Sequence, residues 1–378
     1  MIDYAVLRVI WWILMGILLI GFAITDGFDL GVAALLPYVA RTDTERRITL
    51  NTIGPIWEGN QVWLILGAGV FFAAWPFLYA IAFSSFYFVM FLILVTLILR
   101  PVGFKYRSKI ENATWKTCWD WTLCGSGLIV ALLFGIAIGN VLQGIPFHFD
   151  IDLRSYYTGS FWMFFSPFSI LCGLTSVAMV LMHGSVYLSI KTENKLHQRA
   201  IRSARLASVV MVLLFILGGI FILYSVRGYV ITQPISHIAF SNPLHKNVAR
   251  QVGAWMANFL QYPLLWVAPL MGIGGALGVF LCIRFLPKCA FILSAFSILG
   301  IISTVGFSLF PFLLPSSSDP SSSLLVWDAS ASQLSLSIML VCVIIFLPII
   351  LIYTSWVYRI LRGKVTENYI DKNKDSVY

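Results

Sequence analysis

The stretch "LIGFAITDGFDLGVAALL" places two carboxylates, Asp26 and Asp29, inside an otherwise apolar run. An ionised side chain at the centre of a bilayer costs at least ~2.5–3.5 kcal/mol on insertion scales, so acids at such positions face protein or water and have a use. Spaced i,i+3 on a helix, the pair shares one face, about 4.5 Å apart along the axis. Gly21, Gly27 and Gly31 thin the same helix and admit a close neighbour. The next apolar run opens with "GPIWEGNQVW", a polar cluster of Trp57, Glu58, Asn60, Gln61 and Trp63, and the third run ends at Arg100, followed by Pro101. Short connections bring these helices together, so Asp29, Glu58 and Arg100 are expected at similar depth. Two chemistries fit the set. One is an internal ion pair or hydrogen-bonded plug that holds a helix bundle together. The other is a proton path, because buried carboxylates can gain and lose protons near neutral pH. A static pair and a relay use the same residue types, and composition leaves both open.

The remaining reactive groups read more plainly. Asp120, in "CWDWTL", is expected to anchor a helix end between interfacial tryptophans. His148, His237 and His245 fall in outer loops and His197 in a basic inner loop, where solvated roles are expected. His183, in "LMHGSVY", alone lies within a span; the adjacent Gly184 and Ser185 point to a packed helix contact rather than an axial ligand. No H-x-x-x-H, P-loop, G-x-G-x-x-G or C-x-x-C-H motif is present, so a self-sufficient haem site is not visible. The six cysteines, Cys118, Cys124, Cys172, Cys282, Cys289 and Cys342, show no C-x-x-C spacing and are expected to be buried small apolar residues rather than disulfides or metal ligands.

The elements that must position these groups are membrane helices. Of 378 residues 59% are hydrophobic and 11% charged, with a mean hydropathy of +0.89, which excludes an ordinary soluble protein. Apolar runs of about 20 residues suit helices, whereas barrel strands would be about 10 residues long with strict alternation. The class is an all-α integral membrane protein. "MIDYAVLRVIWW" lacks a basic leader and no A-x-A site follows, so the first span is expected to be retained. The net charge of +9 sits in short loops and does not read as nucleic-acid binding.

Segments near 9–37, 54–74, 78–99, 118–141, 161–190, 206–226, 257–283, 289–313 and 334–358 make nine transmembrane helices. Pro76 breaks the chain between the second and third, where Trp75 and Tyr79 suit an interface. Thr42 with Glu45 forms a capping box, so a short helix is expected before Pro55. With an external N-terminus, the inner connections hold Arg41, Arg46 and Arg47; Arg100, Lys105, Arg107, Lys109 and Lys116; Lys191, Lys195, Arg199, Arg202 and Arg205; Arg284 and Lys288; and Arg359, Arg362, Lys364, Lys372 and Lys374. That is 20 of the 25 Lys and Arg. The outer side keeps Arg8, Arg154, Arg227, Lys246 and Arg250, and its aromatic-rich loops are expected to be ordered caps. Four spans on each side of the long loop at 191–205 allow two four-helix bundles plus one peripheral helix. Residues 1–190 would hold the first bundle, helices 1–4 with the acidic cluster, running into helix 5. Residues 191–378 would hold helices 6–8, the peripheral ninth helix and a cytoplasmic tail.

"TDGFDLG", "WEGNQVWL", "RPVGFKYRSK", "GAWMANF", and "FPFLLPSSS" followed by "WDASASQL" occur in order along almost the whole chain. They resemble the second, smaller subunit of cytochrome bd-type quinol oxidases. The resemblance implies a subunit, inactive alone, of an electrogenic, non-pumping enzyme that oxidises membrane quinol and reduces oxygen to water in the bacterial cytoplasmic membrane. It implies a larger partner, subunit I, that supplies the ligands of haem b and haem d and the quinol site. Small single-helix accessory subunits and a structural quinone occur in some relatives. In the family the helix-one acids, the Trp and carboxylate of helix two and the arginine ending helix three belong to the haem region and proton supply. These roles map onto Asp26, Asp29, Trp57, Glu58 and Arg100. Many members carry Asp where this chain has Glu58, which keeps the charge and lengthens the reach. A proton-coupled secondary transporter and a purely structural membrane subunit are the competing readings; the first should show paired broken helices at midplane.

Overall fold

The computed structural model describes residues 2–372; Lys374, counted above among the inner basic residues, lies outside them. The chain runs α1 (Tyr4–Val39), α2 (Asp43–Ile53), α3 (Trp57–Ala74), α4 (Pro76–Ser85), α5 (Tyr87–Tyr106) and α6 (Ala113–Gln143). A hairpin of β1 (Phe147–Phe149) and β2 (Ser155–Tyr157) leads to α7 (Pro167–Lys191) and α8 (Asn194–Tyr224). After β3 (Arg227–Ile231) and β4 (Val248–Val252) come α9 (Ala257–Gln261), α10 (Val267–Cys282) and α11 (Pro287–Leu309). The pair β5 (Phe312–Leu314) and β6 (Leu324–Leu325) precedes α12 (Gln333–Ile360) and α13 (Glu367–Lys372). Among the described residues eight helices are long and apolar enough to cross a membrane: α1, α5, α6, α7, α8, α10 with the turn before it, α11 and α12. The 18-residue α3 is not among them, since Glu58, Asn60 and Gln61 make its opening turns polar.

Local chemistry sets the boundaries. Thr42 accepts from the Glu45 N–H while the Glu45 carboxylate accepts from the Thr42 N–H, so the expected capping box starts α2. Ser166 caps α7 and Pro167 occupies its first position, which shortens the segment expected from residue 161. The expected loop at 191–205 is instead helical: Thr192 and Glu193 alone join α7 to α8. Its charges mark the edge of the apolar layer, and a helix continues past that edge as long as its backbone bonds are made. Trp75, expected at an interface, is fully buried between α3 and α4. All six cysteines are free as expected, but only Cys124 is fully buried, and Cys118, Cys289 and Cys342 are exposed on the surface of the chain.

The arrangement centres on α1, which packs against α3, α6, α7 and α11. Beside it α7 pairs with α8, and α10 with α11; α12 leans on α1 and α3, and Leu336 is its one fully buried residue among those described. The crossing of α1 and α7 depends on two glycines: a Cβ on Gly31 would lie 2.0 Å from the Val180 carbonyl oxygen, and one on Gly184 would lie 2.6 Å from the Gly31 carbonyl carbon. At one end the loops form an ordered cap. Ile145 bridges Ser316, the Tyr229 hydroxyl donates to the Gln143 carbonyl at 3.2 Å, and Trp255 Nε1 donates to the Leu142 carbonyl at 2.9 Å. The buried Arg8 guanidinium donates to the His237 and Ala239 carbonyls at 2.7 and 3.0 Å and to Ser330 Oγ at 2.7 Å, which ties the longest loop to the start of α1. Lys246 and Asp328 pair at 2.5 Å inside this cap, where burial pushes the ammonium down and the carboxyl up, each opposed by the other's charge.

The opposite end, near α2, is held by charge. Asp120 receives Arg107 Nε at 2.5 Å and Arg46 at 2.8 Å, and Arg107 also reaches Asp43 at 2.9 Å, joining α2, α6 and the end of α5. Asp120 is therefore a buried ion-pair node and not the interfacial anchor expected from its flanking tryptophans. Burial works against ionisation of Asp43, but hydrogen bonds from Lys116 and Arg107 outweigh it and hold the carboxyl below its usual range. Glu45 behaves alike, through Arg199 and the N–H groups of Arg41 and Thr42.

Gly31→Val should break the α1–α7 contact, because its methyl groups would overlap the Val180 carbonyl. The expected outcome is loss of folded protein from detergent extracts, measured by monodisperse yield on size-exclusion chromatography, with Gly16→Val, which meets nothing within 4 Å, at the wild-type level.

Candidate functional site

Asp26 and Asp29 lie on the buried C-terminal half of α1 and both are fully buried. Arg100, one residue before Pro101 near the end of α5, is likewise fully buried. Its two terminal nitrogens donate to Asp26, Nη1 to Oδ2 at 3.0 Å and Nη2 to Oδ1 at 2.7 Å. This is a parallel, bidentate pair, the geometry in which a guanidinium best compensates a buried carboxylate. The Trp57 ring lies 5.7 Å from the Arg100 guanidinium carbon and packs against Phe104, also at 5.7 Å.

Asp29 has a different partner. Asn60 Nδ2 donates to its Oδ2 at 2.7 Å, and the Asn60 carbonyl oxygen accepts from the Tyr358 hydroxyl at 2.5 Å. Asp29 Oδ1 is buried and has no hydrogen-bond partner among the described residues. Around it, Phe28 stacks on Tyr187 with centroids 4.1 Å apart, and the Tyr187 hydroxyl donates to the Thr52 carbonyl at 2.9 Å. The five sequence-predicted residues are thus divided. Asp26, Asp29, Trp57 and Arg100 gather in one buried site, while the Glu58 side chain is exposed. The expected grouping of Asp29, Glu58 and Arg100 is corrected to two joined units, Asp26 with Arg100 and Asp29 with Asn60. The reason is azimuth. Buried residues of α3 recur as Trp57, Asn60, Trp63, Gly67, Val70 and Ala74, and Glu58 falls one step of about 100° away from that stripe.

Asn60 was visible in the polar cluster of α3, and its i,i+3 spacing from Trp57 was the signal for its inward aim. Tyr358 carried no local signal, since it lies 298 residues from Asn60. His183 is fully buried with both ring nitrogens engaged, Nδ1 with Ser294 Oγ at 2.7 Å and Nε2 with the Ile24 carbonyl at 2.9 Å. Its ring stacks on Phe291, 4.7 Å between centroids. It is a helix contact, and as placed it offers no nitrogen to a haem iron.

A central helix with two buried acids, one clamped by an arginine and one left with an open oxygen, inside a bundle of long apolar helices, defines an integral membrane protein built around an intramembrane charge cluster. Comparison with known proteins gives the family. The model of the cytochrome bd terminal oxidase subunit II family matches residues 7–361. The chain is 48% identical to a probable cytochrome oxidase subunit 2 of Haemophilus influenzae and 47% identical to the cytochrome bd-I ubiquinol oxidase subunit 2 of Escherichia coli, each over the full length of both proteins. It is 27% identical to the cytochrome bd ubiquinol oxidase subunit 2 of Bacillus subtilis, over 96% of this chain and 98% of that one. Its fold matches a chain of the bd oxidase structure from Geobacillus thermodenitrificans with a TM-score of 0.64 at 16% identity, covering 94% of this chain and 98% of that chain. The chain belongs to the cytochrome bd terminal oxidase subunit II family.

Asp26→Asn leaves Arg100 buried with an uncompensated charge, so the variant should lose about 3–5 kcal/mol. Thermal unfolding in detergent should show a clear fall in midpoint for Asp26→Asn, and the apolar double variant Asp26→Leu with Arg100→Met should recover part of it. An unchanged midpoint in the single variant would contradict the pair's role in holding α5 to α1.

Proposed function

We propose that this chain, as subunit II of a membrane quinol oxidase, supports a larger subunit that carries haem b and haem d, and supplies protons to oxygen reduction from the cytoplasmic half of the membrane. The haems provide the redox chemistry in that larger subunit. This chain's residues do not fit axial ligation, because the intramembrane imidazole of His183 is consumed by Ser294 and Ile24. What this chain contributes is the handling of protons that water formation consumes. The single observation that carries this role is Asp29: a fully buried carboxylate with one oxygen held by Asn60 and the other without a partner among the described residues. The Asp26–Arg100 pair beside it fixes a charge background, and the exposed Glu58 gives the cluster a carboxylate on the outside of the bundle, within one turn of Asn60 and Trp57 on α3. A transporter reading is weakened by the confinement of these acids to one bundle and by the family of the chain.

The same reading extends to topology. Nine crossings arise if α3 spans the membrane and α4 with α5 forms one broken crossing. They group as α1, α3, α5 and α6 in one bundle and α7, α8, α10 and α11 in a second, with α12 at the edge. The N-terminus is then periplasmic, the hairpin cap lies outside, and α2 with α13 lies in the cytoplasm. The gathering of the basic residues at the α2 end supports this orientation. The partner is subunit I in the bacterial inner membrane, and the surface around Glu58 is where the two chains would exchange protons.

Glu58→Gln is close to isosteric and should leave assembly and the reduced-minus-oxidised haem spectrum unchanged while oxygen consumption falls by about 10-fold or more. Glu58→Asp should retain substantial turnover; wild-type oxygen consumption in fully assembled Glu58→Gln would remove this carboxylate from the path. For topology, a reporter fused before Asp3 should read periplasmic, and a cytoplasmic signal would overturn nine crossings.

A further inference from the structure

The contact of α12 with the acid cluster has a chemical content that proton supply alone does not demand. α12 lies largely uncovered against α1 and α3. Its outer part is tied down where Trp11 Nε1 donates to the Leu336 carbonyl at 3.0 Å, and its inner part where the Tyr358 hydroxyl donates to Asn60 Oδ1 at 2.5 Å. That second bond decides the orientation of a side-chain amide. While the Tyr358 hydroxyl donates to Oδ1, Asn60 turns its NH₂ to Asp29, and Asp29 Oδ2 is committed as an acceptor. A proton arriving at Asp29 therefore has one oxygen to bind, the buried Oδ1. Without the Tyr358 donor the amide is free to rotate by half a turn, offer its carbonyl oxygen to Asp29, and trap a proton on Oδ2 between the two side chains.

We propose that Tyr358 is a positioning residue that acts through the Asn60 amide to direct protonation of Asp29 to Oδ1. No bond other than the O–H is made or broken: the proton adds to Oδ1 and leaves from it. The inference rests on the reading of Asp29 as a proton carrier and adds the atom that carries the proton and the residue that selects it. The groups facing Asp29 are Asp26 on its own helix, Arg100 from α5, Tyr187 and His183 from α7 around the intervening Phe28, and Tyr358 from α12 through Asn60; Glu58 on α3 points away. The terminal nitrogens of Arg100 are committed to Asp26, Tyr187 to Thr52 and His183 to Ser294 and Ile24, and the Asn60 amide, hydrogen-bonded to Asp29, is able to present either an N–H or a carbonyl oxygen to it.

The test uses the assembled oxidase and infrared difference spectroscopy between two pH values, with the Asp29 carboxyl band defined as the one that Asp29→Asn removes. Tyr358→Phe should shift that band and lower oxygen consumption several-fold with the haem spectrum intact. Asn60→Leu should also move the band, and adding Tyr358→Phe to Asn60→Leu should move it no further, because the tyrosine acts through the amide. An Asp29 band that stays in place in Tyr358→Phe overturns the proposal, and so does the lack of any pH-dependent band that depends on Asp29. Should Tyr358→Phe fail to assemble, Tyr358→His keeps an N–H donor in place of the hydroxyl, and is expected to leave the band closer to the wild-type position than Asn60→Leu does; equal shifts would overturn the assignment. A shifted band combined with wild-type turnover in Asp29→Asn would uphold the role of Tyr358 and reject proton supply through Asp29.

Discussion

The bidentate contact between Asp26 and Arg100 is the interaction around which the rest is built. Two opposite charges, each fully buried, compensate one another only when both guanidinium nitrogens meet both carboxylate oxygens. That requirement sets how far α5 reaches along α1 and how it is rotated about its own axis. It also fills the space beneath Trp57, so α3 is held against the same pair. With both terminal nitrogens of Arg100 on Asp26, the hydrogen bond that Asp29 receives comes from a neutral amide. The difference in partners separates a charge-paired carboxylate from one hydrogen-bonded to a neutral side chain.

The two ends of the molecule are closed by different means. At the end where α1 begins, short strands and buried arginine and lysine side chains knit three long loops into a single cap, with Arg8 reaching from α1 to loop carbonyls. At the α2 end a chain of ion pairs runs from Lys116 through Asp43, Arg107 and Asp120 to Arg46. Both clamp α1 and its neighbours from outside the apolar layer, where helix packing has little apolar area to bury. Between them the close passage of Gly31 and Gly184 lets α1 and α7 pack backbone to backbone, which small residues allow where the surroundings offer no hydrophobic drive between helices.

α12 stands apart from this packing. Its lipid-like surface and single fully buried residue describe a helix that is seated lightly. The hydroxyl of Tyr358 nevertheless joins it to the buried cluster through Asn60. A weakly held element linked to a titratable site by one hydrogen bond is a natural place for the position of a helix and the state of a carboxylate to influence each other.

Apolar run lengths, capping residues and prolines are local properties, and they were enough to mark the helices, the short α2, the break at Pro76 and the burial of Asp26 and Asp29. The quoted motifs likewise identified the family. What one-dimensional reading missed was direction around each helix and pairing between distant segments. Depth placed Asp29, Glu58 and Arg100 together, but the Trp57–Asn60–Trp63 stripe turns Glu58 outward, and the bidentate geometry gives Arg100 to Asp26. Basic residues at 194–205 signalled the membrane edge and were taken for a loop, although a helix continues through them. Asp120, Arg8, Lys246 and Tyr358 have no neighbours in sequence that announce their distant partners, Arg107, Ser330, Asp328 and Asn60; those hydrogen bonds span 13 to 322 residues, and only the packed chain brings the atoms together. Sequence by itself determined the apolar segments, the burial of Asp26 and Asp29 and the family to which the chain belongs. Tertiary structure decided which carboxylate is clamped by an arginine and which is held by a neutral amide, because a charge pair depends on relative helix rotation, a quantity no local pattern encodes.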